Sequence, residues 1–455
     1  MKMNTVIMGG GLSGLVCGIA LAKRGQRVTI VATGQSTLLF NGGSMELLGY
    51  LDGKTVASPI EAIASLPEEH PYRKIGADRI ASLADQAKTL LDDAGIQMEG
   101  TADANHWRVT PMGVAKPAWL TLKSHVRIDD LKQLPCKRLA LMCIKGFFDE
   151  PNGMLAEGLK DMGFEVDRLE FTTDDITALR RSPSEMRASS LAKRLGSNSA
   201  LQRIADQINQ LAGEAEMVLL PSVLGDEDHI HALQSMVNKP LRLAATLPPS
   251  VSGNRMQTLL RHYFQMLGGN YLMGDTAVSA TLDGDRVTSV TTAKLGDMPL
   301  KADQFVLATG SFISRGLVAD YERVYEPILG LDVDADADRE KWTRFGILEP
   351  QAYSRFGVKT DNDLRCLKEG KTIQNLRAIG SVLSGHDAIK MVTAPVCPCC
   401  RRSLPPSPFL PPSHKMINRL FVSEAEKCRK VIASWTRDID IDNDLIDDFL
   451  KGYYG

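Results

Sequence analysis

Asn4-Thr5-Val6-Ile7-Met8-Gly9-Gly10-Gly11-Leu12-Ser13-Gly14 stands almost at the start of the chain, and an apolar segment of helical character follows it. Thr5 to Met8 reads as a buried strand, the glycines as a tight turn, and Leu12 onward as the opening of a helix. Gly9 allows the sharp turn, Gly11 lets a backbone approach a phosphate, and Gly14 lets the helix pack on the strand while its first N–H groups face an anion. Arg27 to Val31 supplies the second strand of the same α/β unit. This is the layout that binds the phosphates of a dinucleotide or a flavin. An acidic residue usually ends that second strand, about 20 residues past the glycines, and accepts a hydrogen bond from a ribose hydroxyl. Here Val28-Thr29-Ile30-Val31 runs into Ala32-Thr33-Gly34. The adenosine grip of FAD or NAD is therefore in question, and FMN, which has no adenosine, stays open.

The 455 residues are enough for two or three ordinary domains, and 53 basic residues against 55 acidic ones argue against nucleic acid or an anionic membrane as the main partner. No apolar run approaches the length of a membrane span, and the chain enters a strand without a signal-peptide pattern, so the expectation is a cytoplasmic protein. Cys17, Cys136, Cys143 and Cys366 are isolated and read as reduced thiols; Cys397, Cys399, Cys400 and Cys428 crowd the last sixty residues.

Past the first unit, Phe40-Asn41-Gly42-Gly43-Ser44 is a small-residue loop leading into a short helix. Helical patterns occupy roughly 59 to 97, and His106 to Thr110 reads as a strand before Pro111-Met112-Gly113. A second α/β unit begins at Leu139-Ala140-Leu141-Met142-Cys143-Ile144, with a helix over Met154 to Met162, polar helices from about Ser184 to Gly213 and a strand at Met217 to Leu220. It has no phosphate turn of its own and reads as an inserted domain covering the cofactor. Asn270 to Met273, Val278 to Leu282 and Val287 to Thr292 alternate like meander strands, with Asp283-Gly284 as a hairpin signal. The resulting expectation is an α/β, Rossmann-like two-domain flavoprotein of the FAD/NAD(P)-binding type. Residues 1–130 and 266–390 form its flavin-binding domain, 131–265 the inserted α/β domain, and 391–455 an atypical tail.

Two later segments sharpen the reading. Ala308-Thr309-Gly310 ends a hydrophobic strand, and Asn375-Leu376-Arg377-Ala378-Ile379-Gly380-Ser381 repeats the pattern. Each delivers a small-residue turn that can lie against a flavin without a side chain in the way. Taken with Arg108-Val109-Thr110-Pro111-Met112-Gly113, Leu247-Pro248-Pro249-Ser250-Val251, Glu326-Pro327-Ile328-Leu329-Gly330-Leu331-Asp332 and Ile379-Gly380-Ser381-Val382-Leu383, residues 1 to 390 resemble the B-subunit family of anaerobic glycerol-3-phosphate dehydrogenases.

The resemblance implies a quinone-dependent oxidoreductase subunit in glycerol catabolism and anaerobic respiration, converting sn-glycerol 3-phosphate to dihydroxyacetone phosphate. It implies a heterodimer with a catalytic A subunit and an iron–sulfur C subunit that holds the pair on the inner membrane and passes electrons to a quinone, with fumarate or nitrate as final acceptor. It also implies FMN, with FAD as the alternative. The cofactor-binding residues expected are Gly9, Gly10, Gly11, Ser13, Gly14, Gly42, Gly43, Ser44, Thr309, Gly310, Gly380 and Ser381. Alcohol oxidation needs a base and cations for the substrate phosphate. His386, just after the third signature, is the favoured base, His262 and Arg255 are further candidates, and Arg315 is a phosphate partner. Two other readings stay open beside this one: a flavin subunit that only relays electrons, and a structural subunit with a vestigial nucleotide fold. A pyridine-nucleotide oxidoreductase acting alone is disfavoured by the missing acid.

The resemblance also implies a glycine-rich stretch after residue 390, where this chain reads Met391-Val392-Thr393-Ala394-Pro395-Val396. Codons GAT GGT GAC GGC GCC GGT followed by G, read one base late, encode that hexapeptide, so a shifted frame is the hypothesis for the tail. Resequencing the gene from independent isolates and finding this frame intact would sink it. Cys397, Cys399, Cys400 and His414 lack the paired spacing of a structural zinc site, and no metal is expected.

Overall fold

Val6 to Met8 is apolar throughout because both faces of that strand are covered. In a computed structural model, which describes residues 3–179, 186–346, 349–387 and 391, it forms β1 (Asn4–Met8), buried from Thr5 onward. Helix α1 (Leu12–Ala22) carries the chain back to β2 (Arg27–Ala32), which lies parallel to β1 with Ile7 opposite Ile30.

A small antiparallel sheet follows: β3 (His106–Val109) between β4 (Ala115–Ala118) and β5 (Arg127–Ile128). The tip between β3 and β4 rests on the helix Asn152–Asp161 further along the chain. A Cβ at Gly158 would lie 2.1 Å from the carbonyl oxygen of Gly113, so backbone meets backbone there. Val109, Val126 and Ile128 also share a core with Leu139, Leu141 and Leu155.

The second α/β unit comprises β6 (Arg138–Ile144), α2 (Asn152–Asp161), β7 (Glu165–Phe171), α3 (Asn198–Leu211), β8 (Met217–Pro221), α4 (Glu227–Met236) and β9 (Leu241–Ala244). Its four strands are parallel, in the order β7-β6-β8-β9. Apolar runs such as Leu139 to Ile144 suit strands covered on both faces by helices.

Helix α5 (Val251–Met266) then returns to the first sheet as β10 (Asn270–Met273). This corrects one expectation. Asn270 to Met273 does not open the meander; it pairs parallel with β2, because α5 makes a helical crossover that packs on α1 and delivers the strand to the sheet edge. The meander is β11 (Ala277–Asp283), β12 (Arg286–Thr292) and β13 (Leu300–Lys301), with Gly284 at the first hairpin. The sheet closes with β14 (Gln304–Leu307), β15 (Arg365–Lys368) and β16 (Lys371–Ala378), giving the order β10-β2-β1-β14-β16-β15. Strands from both ends of the chain thus interleave, and β15 alone among the six pairs antiparallel. Buried Asn375 ties the meander to this sheet: its amide donates to the carbonyls of Val287 (2.8 Å) and Asp303 (3.2 Å) and accepts from Val287 N–H (2.8 Å).

The α/β class is as expected. The loop after Phe40 leads into the two-residue strand Ser44–Met45 rather than a helix, and helical structure begins at Pro59.

Candidate functional site

β1 and β14 end side by side, Met8 opposite Leu307, so the first glycine turn and the Ala308-Thr309-Gly310 turn face one another. Gly9 N–H donates to Val31 C=O (2.8 Å) at φ +117°, and a Cβ there would lie 2.1 Å from the Ala308 carbonyl oxygen. At Gly10 a Cβ would meet the Tyr271 hydroxyl, which donates to the Gly10 carbonyl (3.1 Å); at Gly14 it would lie 1.9 Å from the Gly9 carbonyl oxygen. Gly11 is different. Its nearest neighbour would be Ser36 Cβ at 3.8 Å, an ordinary contact. Packing within the protein requires glycine at 9, 10 and 14 but not at 11. What a bare backbone at Gly11 serves is close approach by something else. Helix α1 has no side-chain N-cap and no acidic residue in its first turn, so its first N–H groups remain for an anion, and Ser13 is buried there. The residues fit a nucleotide phosphate.

The other turns join this edge. Ile379 N–H donates to Leu307 C=O (2.9 Å), which sets Gly380 and Ser381 beside Gly310; a Cβ at Gly310 would lie 3.5 Å from Ser381 Oγ. Thr309 Oγ1 is buried without a partner among the described residues. At the end of β2 the Ala32 carbonyl accepts from Gly274 N–H (2.7 Å) and Asp275 N–H (3.1 Å). The Asp275 carboxylate is occupied by Thr292 Oγ1 (2.6 Å), Lys294 N–H (2.9 Å) and Thr276 N–H (2.8 Å), so it does not replace the missing ribose acid.

Asn41 Oδ1 accepts from Gly43 N–H (2.7 Å) and Ser44 N–H (3.2 Å) and so shapes the Gly42-Gly43 turn. Gly42 abuts Ala245 beyond β9, and Gly43, at φ +95°, lies so close to His125 that a Cβ would be 2.8 Å from Nε2. Ser44 Oγ donates to Glu46 (2.8 Å), which pairs with Arg108 (2.7 Å).

His125 was not singled out by the sequence. Its Nε2 lies 3.1 Å from Ser252 Oγ, which lies 2.8 Å from Ser222 Oγ, while Nδ1 lies 3.3 Å from Ser124 Oγ. Burial, with nearby Arg255 adding to it, pulls its pKa down to about 3, so the ring is neutral. Arg255 is itself buried and paired with Glu227 (2.7 Å). His386 stands with its ring centroid 6.1 Å from that of His70, nearly perpendicular. His70 Nδ1 accepts from Tyr72 N–H (3.1 Å); His70 Nε2 and His386 Nδ1 have no partner among the described residues. Burial lowers both imidazoles, His70 to about 3. Asp387 accepts from Ser354 Oγ (2.6 Å). His262 is exposed on α5, and Arg315 is exposed at φ +62° after the Gly310 turn. Among the described residues no hydrogen bond, ion pair or ring contact joins any two of His386, Arg255, Arg315 and His262. Residues such as His125 and Ser252 are 127 positions apart, and no local pattern marks either.

Among the described residues no three metal-ligating side chains gather, and no helix is long and apolar enough to cross a membrane. Cys397, Cys399, Cys400 and His414 lie outside the described residues. Cys136, Cys143 and Cys366 are buried free thiols, and Cys17 is buried as well.

The FAD binding domain family matches residues 4–391, ending where the atypical tail begins. The anaerobic glycerol-3-phosphate dehydrogenase B subunit of Yersinia enterocolitica is 42% identical over 398 residues, covering 86% of this chain and 94% of that protein. The protein of the same name from Pectobacterium atrosepticum is 36% identical over 395 residues, with the same coverage. Among solved structures, 3-ketosteroid delta1-dehydrogenase from Sterolibacterium denitrificans is 16% identical with a TM-score of 0.31, covering 68% of this chain and 48% of that one.

Proposed function

This chain belongs to the B-subunit family of anaerobic glycerol-3-phosphate dehydrogenases, and from that premise we propose that it carries the flavin through which sn-glycerol 3-phosphate is oxidised to dihydroxyacetone phosphate. It is an oxidoreductase subunit of a multi-subunit assembly. The proposed partners are a catalytic A subunit and an iron–sulfur C subunit that brings the pair to the inner membrane and a quinone.

The observation that carries the reading is the turn at Gly11, whose bare backbone packing does not require, facing the uncapped start of α1. The α1 N–H groups and Gly11 would hold the phosphate, Thr309 Oγ1 would supply a hydroxyl, and the Gly310 and Gly380 turns would lie against the ring system. When bound, a flavin accepts two electrons and can hand them on singly. The match to the FAD binding domain family favours FAD, whereas the occupied Asp275 and the missing acid after Val31 favour FMN. FMN is the proposed cofactor. His386 Nδ1, kept neutral by burial, is the proposed acceptor for the substrate hydroxyl proton.

A second reading is favoured by the scatter of the four candidate residues, with Arg255 held by Glu227 and His262 turned to solvent. In it the flavin relays electrons from the partner and no base is needed here. Purifying the chain, recording its visible spectrum and chromatographing the released flavin tests the first claim: about one flavin per chain is expected, and none refutes it. Anaerobic sn-glycerol 3-phosphate then separates the readings. Bleaching by the chain alone, abolished in His386→Asn, supports its own oxidation site; bleaching only with the A subunit supports relay.

A further inference from the structure

The second α/β unit has a cleft of its own. It lies beyond the carboxyl ends of β6 and β7. Its volume is about 490 Å³, and Phe147, Phe148, Asn152, Met154 and Glu170 surround Glu150.

Glu150 is 2% exposed and Oε1 has no partner among the described residues. Asn152, with its amide nitrogen turned to the carboxyl, donates to Oε2 at 2.6 Å. The nearby Arg187 is held by Asp149, which also accepts from Ala188 N–H. Helix α2 opens on Pro151 with no side-chain cap and no acid in its first turn, and its residues Gly153 and Met154 line the same cleft. Burial without a counter-charge pushes the Glu150 carboxyl up to about 8, so it holds its proton at neutral pH and presents a hydroxyl.

At its base the cleft offers donors: one carboxyl O–H and the N–H groups of Gly153 and Met154 at the helix start, Asn152 N–H being taken by the Glu150 carbonyl (2.9 Å). Among the described residues no Lys, Arg or His lines it, and Glu170 adds a negative charge at the rim. That combination disfavours a full anion and suits an uncharged oxygen acceptor. The mouth is apolar, with Phe148 71% and Met154 55% exposed.

We propose that this cleft binds an uncharged carbonyl compound, an amide or ketone on an apolar ring, whose oxygen accepts from Glu150 Oε1–H and the first turn of α2. The site is independent of the flavin turns.

The probes are benzamide and benzoate, alike in shape and different in charge, added to the full chain at neutral pH and followed by saturation-transfer NMR and calorimetry. Benzamide is expected to bind with a Kd of about 1 mM, as its few heavy atoms allow, and benzoate about tenfold more weakly. Glu150→Gln keeps an N–H donor and holds benzamide within about threefold, whereas Glu150→Leu loses it about tenfold or more. Raising the pH through 8 weakens benzamide for the native chain and not for Glu150→Gln. The groups facing Glu150 are Glu170 on β7, the Asp149–Arg187 pair and Cys143, whose thiol burial pushes up to about 11, so the thiol does not lose its proton near pH 8. Equal binding of the two probes, an unchanged Glu150→Leu, pH-independent binding, or no binding of benzamide overturns the proposal. Flavin content in these variants is expected to stay unchanged, which keeps this outcome separate from the flavin reading.

Discussion

Gly14 and Gly11 stand three residues apart and make opposite demands. A methyl at Gly14 would fall on the Gly9 carbonyl, so Gly14→Ala forces α1 off the turn; about 2 to 3 kcal/mol of stability is expected to go, together with bound flavin, by urea unfolding and flavin stoichiometry. Gly11 has φ −78° and open space beside it, so Gly11→Ala should leave stability within about 1 kcal/mol while flavin affinity falls about tenfold or more. Such glycines are legible in sequence because their requirement is local. The buried imidazoles are not. His70 at about 3, His106 at about 4 and His125 at about 3 all lie below the ordinary 6.5, chiefly through burial. Below pH 6.5 the unfolded chain takes up protons that the native chain refuses, so stability falls as pH drops from 6.5 toward 4, by up to about 1.4 kcal/mol per pH unit for each histidine. Glu150 works the other way: raised from 4.5 to about 8, it keeps a proton the unfolded chain has lost, so stability falls as pH rises across that interval. Urea midpoints between pH 4 and 9 should show both limbs, with Glu150→Gln flattening the alkaline one.

At the level of elements, length and apolar pattern decided what could be read. The runs Leu139 to Ile144 and Met217 to Leu220 are long enough and apolar enough to mark buried strands, and both are present. Asn270 to Met273 was recognisable as a strand, but four residues carry no mark of a parallel or antiparallel partner; α5 before it decided that. The Thr110-Pro111-Met112-Gly113 motif likewise gave no hint that its turn seats on α2, since the matching glycine, Gly158, looks like any helical glycine. Gly158→Leu is expected to lift the β3–β4 tip from α2 and cost about 2 to 3 kcal/mol in chemical unfolding. A structural contact of this kind predicts that flavin content stays near native in the variant, measured at a temperature below its Tm.

On the scale of the whole molecule, the order of the three glycine turns gave away the α/β flavoprotein plan, whereas the polar clusters assembled from distant segments stayed hidden. Gly9 has its wall in Ala308, and β1 lies between β2, from its own half of the sequence, and β14, from the far half. Asn4 N–H reaches Asp303 across 299 positions of sequence. During synthesis at about 5 to 20 residues per second, the opening turn must therefore wait roughly 15 to 60 s for its facing wall to leave the ribosome. The cofactor cannot be threaded in as the N-terminus emerges; it has to enter an almost finished protein. Stalled nascent chains ending before β14 should retain no flavin on affinity capture, while chains released in full should. Biogenesis of this subunit is then paced by β14 and β16, and flavin supplied late in translation serves as well as flavin present from the start.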